Sequence, residues 1–390
     1  MDLTKEKTEK YLMHTYNSIP MTLISGEGCH VTDSTGKKYL DFLSGIAVNA
    51  LGYSYDSFNK AVSGQLDKII HFSNLFLNNL QADLAEKLVE NSSFDKAFFC
   101  NSGTEAVEAS LKLAKKFGKK KKNGAWKILA MNKSFHGRTS GSLSLTGQMK
   151  YRETFLPLLP GVVFADFNDF EDLKQKADGE TCAIILEPVQ GEGGIHPADK
   201  DYLVKVREFC TRSNIALIFD EVQCGMGRTG TLFAHEQYRV VPDIVCLAKG
   251  LGGGLPIGAI LATEEFNLFE PGDHAATFGG NPLVCSGALA VLTELIDHDL
   301  LSRIKEISSY LFQKLEDLSS SSAKIKEIRG KGLMIGIELD GNASQIAESC
   351  REHGLIVGTA GANVLRLVPP LIIGEKEVDE AVDILKKFLK

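Results

Sequence analysis

Short apolar runs alternate with amphipathic stretches along most of the chain, and this alternation predicts an α/β fold. Each run is too short for a helix and almost entirely apolar, as expected of parallel strands that are buried on both faces. Helical periodicity fills much of the space between these runs. The predicted strands are residues 97–100, 126–131, 182–186, 215–219, 243–248 and 258–262, and the predicted helices include 57–70, 80–89, 103–118 and 199–213.

The two ends of the chain have a different pattern. Residues 1–20 are polar and predict a helix that ends before Pro20, and residues 30–42 predict a β-hairpin that turns at 33–36. From about Ser302 onward, helices and strands mix in the order of a compact α+β unit, with predicted elements at 304–318, 333–339, 343–353, 355–358, 364–368 and 375–389. We therefore expect an N-terminal segment (1–50) that joins the small domain, a large domain (51–300) and a C-terminal small α+β domain (301–390).

Composition narrows the class of protein. The chain has 390 residues, of which 44% are hydrophobic and 24% charged, which is typical of a globular protein with a large core. The net charge of −7 argues against nucleic acid as a partner, and no apolar run is long enough for a signal peptide or a membrane helix. The eight cysteines are scattered without a CxxC pair. We expect them to be reduced core residues of a cytoplasmic protein that has no metal site.

A carboxylate and a lysine stand at the ends of two predicted strands. Asp220 follows the run 215–219, and Lys249 follows 243–248 and precedes a glycine-rich turn. Ligands of open α/β sheets bind where the strands end. Pyridoxal phosphate chemistry needs this pair, a lysine that forms a Schiff base and an Asp beside the pyridinium nitrogen. Either residue alone would more simply be a turn cap or a surface cation.

Two stretches suggest phosphate binding. Ser102 is a good N-cap, with Glu105 at the capping-box position, and the amides of Gly103 and Thr104 would form an anion site at the helix terminus. Thr277, on a later loop, is a plausible second phosphate contact. The alternative is an ordinary capped helix that ends at Gly118 and continues into a solvated lysine run at 119–122.

Three further side chains have two interpretations each. Phe135 is suited to stacking on a flat ring or to core packing, and Arg138 to gripping a carboxylate or to facing solvent. Arg366 alternates with leucines in its predicted strand and faces either solvent or a site. A literal GxGxxG at 225–230 lacks the strand before it and the helix after it that dinucleotide binding requires.

Together these pieces resemble the fold-type-I, class III aminotransferases, and within that family the acetylornithine aminotransferase group. The motifs are GEGCHVTDSTGKKYLDFLSGIAVNALG, HFSNLF, NSGTEAVEASLKLAK, FHGRTSGSLSLTG, LEPVQGEGG, LIFDEVQCGMGRTG, AKGLGGGLPIGA, ATFGGNPLVCSGALAVL and RGKGLMIGIEL. The resemblance implies a fold-type-I transferase: a large, doubly wound, mostly parallel sheet domain and a smaller α+β domain. It also implies pyridoxal 5'-phosphate as cofactor and a homodimer with shared active sites.

The resemblance also assigns a role to each matching position. Lys249 would bond the cofactor and move the proton, and Asp220 would bind the pyridinium nitrogen. Arg138 would hold the α-carboxylate of the donor and Arg366 that of glutamate, with Glu192 masking Arg366 when the donor's terminal amine reacts. The remaining cofactor contacts would be Ser102, Gly103 and Thr104 at the phosphate, Phe135 on the ring face, Gln223 near the ring hydroxyl and Thr277 from the partner subunit.

The sequence departs from the family pattern at three places, of which the third should be tolerated because Thr104 would act through its amide. Ala276 replaces a serine that contacts the acylated donor, 52–56 replaces a GHxHP turn at the pocket entrance, and NSGTEAVEAS replaces NSGAEANEAA. Transfer of the δ-amine of N2-acetylornithine to 2-oxoglutarate, in arginine biosynthesis, is the first hypothesis. Ornithine, succinylornithine, diaminopimelate intermediates and 4-aminobutyrate are alternative donors. A glutamate-semialdehyde-type aminomutase and a non-catalytic binding protein are the other two hypotheses.

Overall fold

A seven-stranded sheet forms the centre of the computed structural model, which describes residues 3–390. The seven strands are β4 (Lys96–Cys100), β5 (Lys127–Met131), β6 (Val162–Ala165), β7 (Thr181–Leu186), β10 (Ala216–Asp220), β11 (Ile244–Leu247) and β12 (Gly258–Ala262). Their order in the sheet is β4-β12-β11-β10-β7-β5-β6, and every neighbouring pair is parallel except the two that involve β12. Strands β7, β10, β11 and β12 are buried at every position, as their apolar runs predict.

Three small sheets complete the β structure of residues 3–390. Their strands are β1 (Leu23–Glu27), β2 (His30–Asp33), β3 (Lys38–Asp41), β8 (Val189–Gln190), β9 (His196–Pro197), β13 (Ile325–Lys331), β14 (Met334–Leu339), β15 (Leu355–Ile356), β16 (Gly358–Thr359) and β17 (Val364–Leu367). The first sheet has the order β1-β2-β3-β15, the second has the order β13-β14-β17-β16, and the third pairs β8 with β9. Strand β15 pairs in parallel with β3, so residues near the start and near the end of the chain share one sheet.

Thirteen helical segments in residues 3–390 connect or cover these sheets. They are α1 (Leu3–Tyr11), α2 (Ser44–Ala47), α3 (Asp56–Leu66), α4 (Asn79–Glu90), α5 (Gly103–Lys121), α6 (Ser140–Leu145), α7 (Met149–Arg152), α8 (Phe170–Lys176), α9 (Lys200–Ser213), α10 (Pro282–Leu292), α11 (Leu300–Ser320), α12 (Ala343–Glu352) and α13 (Glu375–Leu389). Short 3-10 turns add Glu153–Phe155, Ala234–Gln237, Lys249–Gly252 and Glu264–Phe266, and a π turn covers Thr293–Asp297. None of these helices is both long and apolar enough to cross a membrane.

The α/β architecture expected from the sequence is confirmed, and most predicted strands agree within one or two residues. The hairpin at 30–42 is formed by β2 and β3. All eight cysteines are free and buried, as expected. The domain boundaries at 50 and 300 stay a prediction.

Two predicted helix ends are wrong for different reasons. Helix α1 ends at Tyr11, well before Pro20; neither the helix nor the residues up to Pro20 have a buried side chain, so no core packing extends it, and residues 1–2 lie outside the described part. Helix α5 continues through Gly118 to Lys121. A Cβ on Gly118 would lie 1.9 Å from the Ala125 carbonyl oxygen, so this glycine permits close packing inside a helix.

Residues 44–47, just after β3, form a left-handed turn. Ser44, Gly45, Ile46 and Ala47 all have φ between 47° and 68°. This region is unfavourable for a β-branched residue such as isoleucine. The Asp41 carboxylate accepts hydrogen bonds from the amides of Leu43 and Ser44, at 2.8 and 2.9 Å, and holds the start of the turn.

Candidate active site

The carboxyl ends of four neighbouring strands bring the candidate residues together. Asp220 is the last residue of β10, and Lys249 follows β11 by two positions. The loop that carries Phe135 follows β5, and the loop that carries Glu192 follows β7. Because these strands are parallel and adjacent, their ends meet at one edge of the sheet.

Lys249 begins a 3-10 turn and has a φ of 45°, in the left-handed region. Its amine has no hydrogen bond or ion pair within residues 3–390. Burial lowers the pKa of Lys249 to about 8, with Arg366 acting in the same direction and Glu192 and Asp220 opposing. Near neutral pH this lysine therefore supplies much more unprotonated amine than an ordinary lysine.

Asp220 is 4% exposed and is oriented by a residue that the sequence analysis did not single out. His136 Nδ1 donates to Asp220 Oδ2 at 2.7 Å, and the Val222 amide donates to Oδ1 at 3.0 Å. Two of the carboxylate's roughly four acceptor sites stay open. With His136 Nδ1 committed as a donor, its Nε2 is buried without a partner.

A second buried carboxylate, Glu187, connects two loops of the site. It accepts hydrogen bonds from the Phe135 amide at 3.0 Å and from the Gly191 amide at 3.1 Å. Burial raises the pKa of Glu187 to about 7, although His136 opposes the shift. Glu187 therefore fixes the backbone immediately before Glu192 and at Phe135.

The predicted cap of α5 is present. The Ser102 hydroxyl accepts from the Glu105 amide at 3.4 Å, while the Glu105 carboxylate accepts from the Asn101 amide at 2.6 Å, one residue earlier than in a standard capping box. The amides of Gly103 and Thr104 donate to no acceptor in the described part of the chain. They are free to bind an anion at the positive end of a 19-residue helix.

The hydroxyl of Thr104 is not available to such an anion. It contacts the Ser142 hydroxyl at 2.6 Å and the Thr139 hydroxyl at 3.0 Å, and it accepts from the Arg138 amide at 3.3 Å. A Cβ on Gly103 would lie 2.7 Å from Val222 Cγ1, so glycine is needed for α5 to approach the residues that follow Asp220. Thr104 thus contributes its amide to the anion site and its side chain to the Arg138 loop.

Arg138 stacks on a tyrosine that the sequence analysis missed. Its guanidinium carbon lies 4.3 Å from the Tyr151 ring centroid and 5.6 Å from that of Phe135. The two rings meet edge to face with centroids 5.7 Å apart. Among the described residues Arg138 has no ion pair, and it stays exposed, so its planar donors are free to bind a carboxylate.

Arg366 faces the site and not solvent, which resolves the open alternative. It is 4% exposed, and its guanidinium contacts the Glu192 carboxylate directly. Gln223 bridges the pair, donating to Glu192 at 3.3 Å and accepting from Arg366 at 3.5 Å. Burial alone would raise the pKa of Glu192, but the Arg366 charge reverses the shift and lowers it.

Ala276 and Thr277 lie on an exposed loop. The Ala276 carbonyl accepts from the Asn74 side chain at 3.1 Å, and the His71 and Phe278 rings pack at a tilt of 55° with centroids 5.2 Å apart. Thr277 is exposed and has no partner for its hydroxyl within residues 3–390. It therefore presents this group to solvent.

The segment 52–56 makes contacts outside the candidate site. The Tyr53 hydroxyl donates to Asp41 at 2.6 Å, and the Tyr55 hydroxyl donates to Glu294 at 2.9 Å. Both tyrosines thus anchor the start of α3 to neighbouring elements. Whether this turn alters the pocket entrance stays a prediction.

A phosphorylated pyridine aldehyde suits this set of groups. An amine with a lowered pKa would meet the aldehyde, a carboxylate with open acceptor sites would meet the ring nitrogen, and two free amides would meet the phosphate. Within residues 3–390, no group of three His, Cys, Asp or Glu side chains is placed to hold a metal ion.

Comparison with known proteins gives consistent matches along the chain. The profile of the class-III aminotransferases matches residues 11–389. Acetylornithine aminotransferase of Caldanaerobacter subterraneus subsp. tengcongensis is 50% identical over 99% of this chain and 98% of its own, and that of Clostridium acetobutylicum is 49% identical over 98% and 100%. Among solved structures, ornithine aminotransferase of Toxoplasma gondii, with partial occupancy of PLP at its active site, superposes with a TM-score of 0.95 at 30% identity, covering 99% of this chain and 93% of that one.

Proposed function

The chain belongs to the class-III aminotransferases, and from this premise we propose that it transfers the δ-amino group of N2-acetylornithine to 2-oxoglutarate. The products are N-acetylglutamate 5-semialdehyde and glutamate, a step of arginine biosynthesis. Family membership, the fold-type-I architecture and pyridoxal 5'-phosphate as the family's cofactor, all expected from the sequence motifs, are confirmed. The contact between Glu192 and Arg366 beside Lys249 is the observation that carries the proposal.

Bound pyridoxal 5'-phosphate supplies an aldehyde that takes up an amino group and a ring that accepts the electron pair of the substrate carbon. Asp220 would hold the positive charge on the ring nitrogen, and His136 keeps that carboxylate oriented. Lys249 Nζ would remove the proton from the carbon that carries the amine and return it in the later step. The Gly103 and Thr104 amides would hold the phosphate, and Phe135 would pack on the ring.

The Glu192–Arg366 pair lets one pocket take two kinds of amine. Acetylornithine reacts at an amine remote from its carboxylate, so Arg366 has to be masked, and Glu192 masks it. Glutamate and 2-oxoglutarate carry a carboxylate next to the reacting carbon, and this carboxylate displaces Glu192 from Arg366. A movable partner avoids leaving the buried guanidinium unpaired in either half-reaction. Arg138, stacked on Tyr151, holds the α-carboxylate of the acylated donor.

The protein acts as a homodimer in the cytoplasm in this proposal. Leu75, Phe76 and Leu77 are 89%, 67% and 101% exposed, and they adjoin the Ala276–Phe278 loop through Asn74. Such a contiguous apolar surface favours burial against a second copy. In that dimer Thr277 would complete the phosphate site of the partner. Sedimentation over a range of concentrations tests this, and a fully active monomer would contradict it.

The substrate is tested by separating the two half-reactions. We would add N-acetylornithine without an oxo acid and follow the visible absorption band of the bound cofactor. The proposal expects the band to bleach and 2-oxoglutarate to restore it. If only ornithine or 4-aminobutyrate bleaches the band, that compound and not N-acetylornithine is the donor. The replacement of the family's serine by Ala276 would then account for the change of substrate. Turnover that is independent of 2-oxoglutarate would indicate an aminomutase, and a protein without any such band would refute the cofactor assignment.

A further inference from the structure

Three lysines spaced four residues apart on α5, which we call the lysine ladder, contact the segment 270–274. The ladder consists of Lys112, Lys116 and Lys120, and this spacing places all three on one face of the helix. Lys112 Nζ donates to the Asp273 carbonyl at 2.5 Å and lies 3.1 Å from His274 Nδ1. Lys120 Nζ lies 2.6 Å from the Glu270 carboxylate.

The middle member joins the separate contacts into a network. Lys116 pairs with the Asp273 carboxylate and lies 3.2 Å from that of Glu270, and its side chain is 16% exposed. The same Asp273 carboxylate accepts the Glu270 amide at 2.7 Å, which fixes the backbone of the segment. Isolated surface ion pairs hold a loop weakly, but a network that shares partly buried partners can fix its position.

The segment is also fixed from its other side and at its far end. Rings of Phe98, Phe269 and His274 pack with centroids 5.1 to 6.3 Å apart. Past the exposed Thr277, side-chain amides of Asn74 and Gln81 donate to the carbonyls of Gly279 and Gly280 at 3.0 and 3.2 Å. Thr277 therefore lies between two anchored stretches of backbone. The stretch before it is held by the ion pairs of the lysine ladder, and the stretch after it is held by neutral side-chain amides.

We propose that the lysine ladder is a positioning device for Thr277, so that a single helix serves two phosphate sites. The N-terminal amides of α5 bind the phosphate in their own subunit, while the ladder on the same helix holds the loop that reaches the partner's phosphate. This inference rests on the proposed function, since it requires Thr277 to act across the dimer. It gives a role to Lys120, which belongs to the run that the sequence pattern assigned to solvent.

The test compares cofactor binding with and without the phosphate. The full-length dimer is stripped of cofactor and titrated with pyridoxal 5'-phosphate and with pyridoxal. We expect Lys116→Met to weaken binding of the phosphorylated form about tenfold, the size of one weakened charge-assisted hydrogen bond. Binding of pyridoxal should change by less than about twofold. Lys116→Arg should restore binding. Lys119→Met is the control and should have no effect, because Lys119 is an exposed lysine of α5 that forms no ion pair in the described residues.

A double-mutant cycle separates positioning from general loosening. Thr277→Ala should weaken binding of the phosphorylated form as much as Lys116→Met does, and the double variant should be no worse than Thr277→Ala alone. Unchanged affinity in Lys116→Met, equal loss for both ligands, additive effects in the double variant or a variant that becomes monomeric would each overturn the proposal. If the wild-type protein binds no pyridoxal 5'-phosphate, the proposed function itself fails, which is a different result.

Discussion

Glu192→Gln should change the balance between the two half-reactions. The substitution keeps the shape of the side chain but removes the charge that masks Arg366, a guanidinium that is 4% exposed. In this variant the guanidinium of Arg366 would donate to the neutral amide oxygen of the new glutamine and to the Gln223 oxygen, which lies at 3.5 Å. The Arg366 guanidinium stays charged, so the substitution removes only the carboxylate's share of the charge assistance, roughly 1–2 kcal/mol out of the about 1.5–3 kcal/mol of a hydrogen bond between charged groups.

The weaker contact between residue 192 and Arg366 favours the half-reaction with glutamate and disfavours the half-reaction with acetylornithine. Glutamate no longer has to displace a carboxylate from Arg366, so its half-reaction gains about 1–2 kcal/mol in the binding step. Acetylornithine meets an unmasked cation, and its half-reaction loses a similar amount. The two shifts combine to about 2–4 kcal/mol, which changes the ratio of the two rates by roughly thirtyfold or more.

Single-turnover mixing measures both rates from the visible absorption of the bound cofactor, once with N-acetylornithine and once with glutamate. Glu208→Gln, at an exposed carboxylate on α9, is the matched control and should leave the ratio unchanged. Equal slowing of both half-reactions, or an unchanged ratio, would show that Glu192 does not mask Arg366 during catalysis.

The site and the fold lead to four further predictions. Lys249→Ala should abolish turnover while the unfolding midpoint is kept, and repeated turnover in that variant would refute the assignment of the base. Asp220→Asn should slow turnover by several orders of magnitude and His136→Phe by about tenfold, measured by steady-state assay, because one residue holds the ring charge and the other only orients it. The rate at which the stripped protein takes up pyridoxal 5'-phosphate should rise with pH and level off above about 8, because the unprotonated Lys249 amine is the nucleophile and burial lowers its pKa; a rise that continues to pH 10 would contradict this. Gly118→Ala should destabilise the protein by about 1–3 kcal/mol in thermal unfolding, since the added methyl would meet Ala125 and Cys182, whereas Gly64→Ala, at a glycine of helix α3 with open space around it, is the control and should not destabilise.

The sequence predicts those parts of the site that follow from chain-local patterns. Asp220 and Lys249 stand at the ends of apolar runs, and a run that is buried in the sheet has its end at the sheet edge. Ser102 is recognisable because capping depends on residues within one helical turn. The family motifs supplied the remaining roles, including the pairing of Glu192 with Arg366.

Residues whose roles depend on contacts distant in the sequence were missed. A histidine next to a phenylalanine has the same local pattern whether it packs in a core or, as His136 does, orients Asp220 from 84 positions away. Tyr151 is one of several aromatics near helix ends, and only the folded chain shows it beneath Arg138. Strand β13 was missed because its charged and exposed residues hide the alternation that marks a strand.

The pairing of β3 with β15 has a consequence for how the protein is made. Leu40 lies opposite Leu355 in this parallel pair, so the edge of the first hairpin has no partner until nearly the whole chain has been synthesised. At ribosomal rates of about 5–20 residues per second, that edge waits for roughly 15–60 s. Exposed strand edges recruit other chains during such intervals. All strands of the central sheet lie between Lys96 and Ala262, so this sheet can form before β15 is synthesised. In the nascent chain, the unpaired edge of the N-terminal hairpin is therefore the part that most needs protection from aggregation.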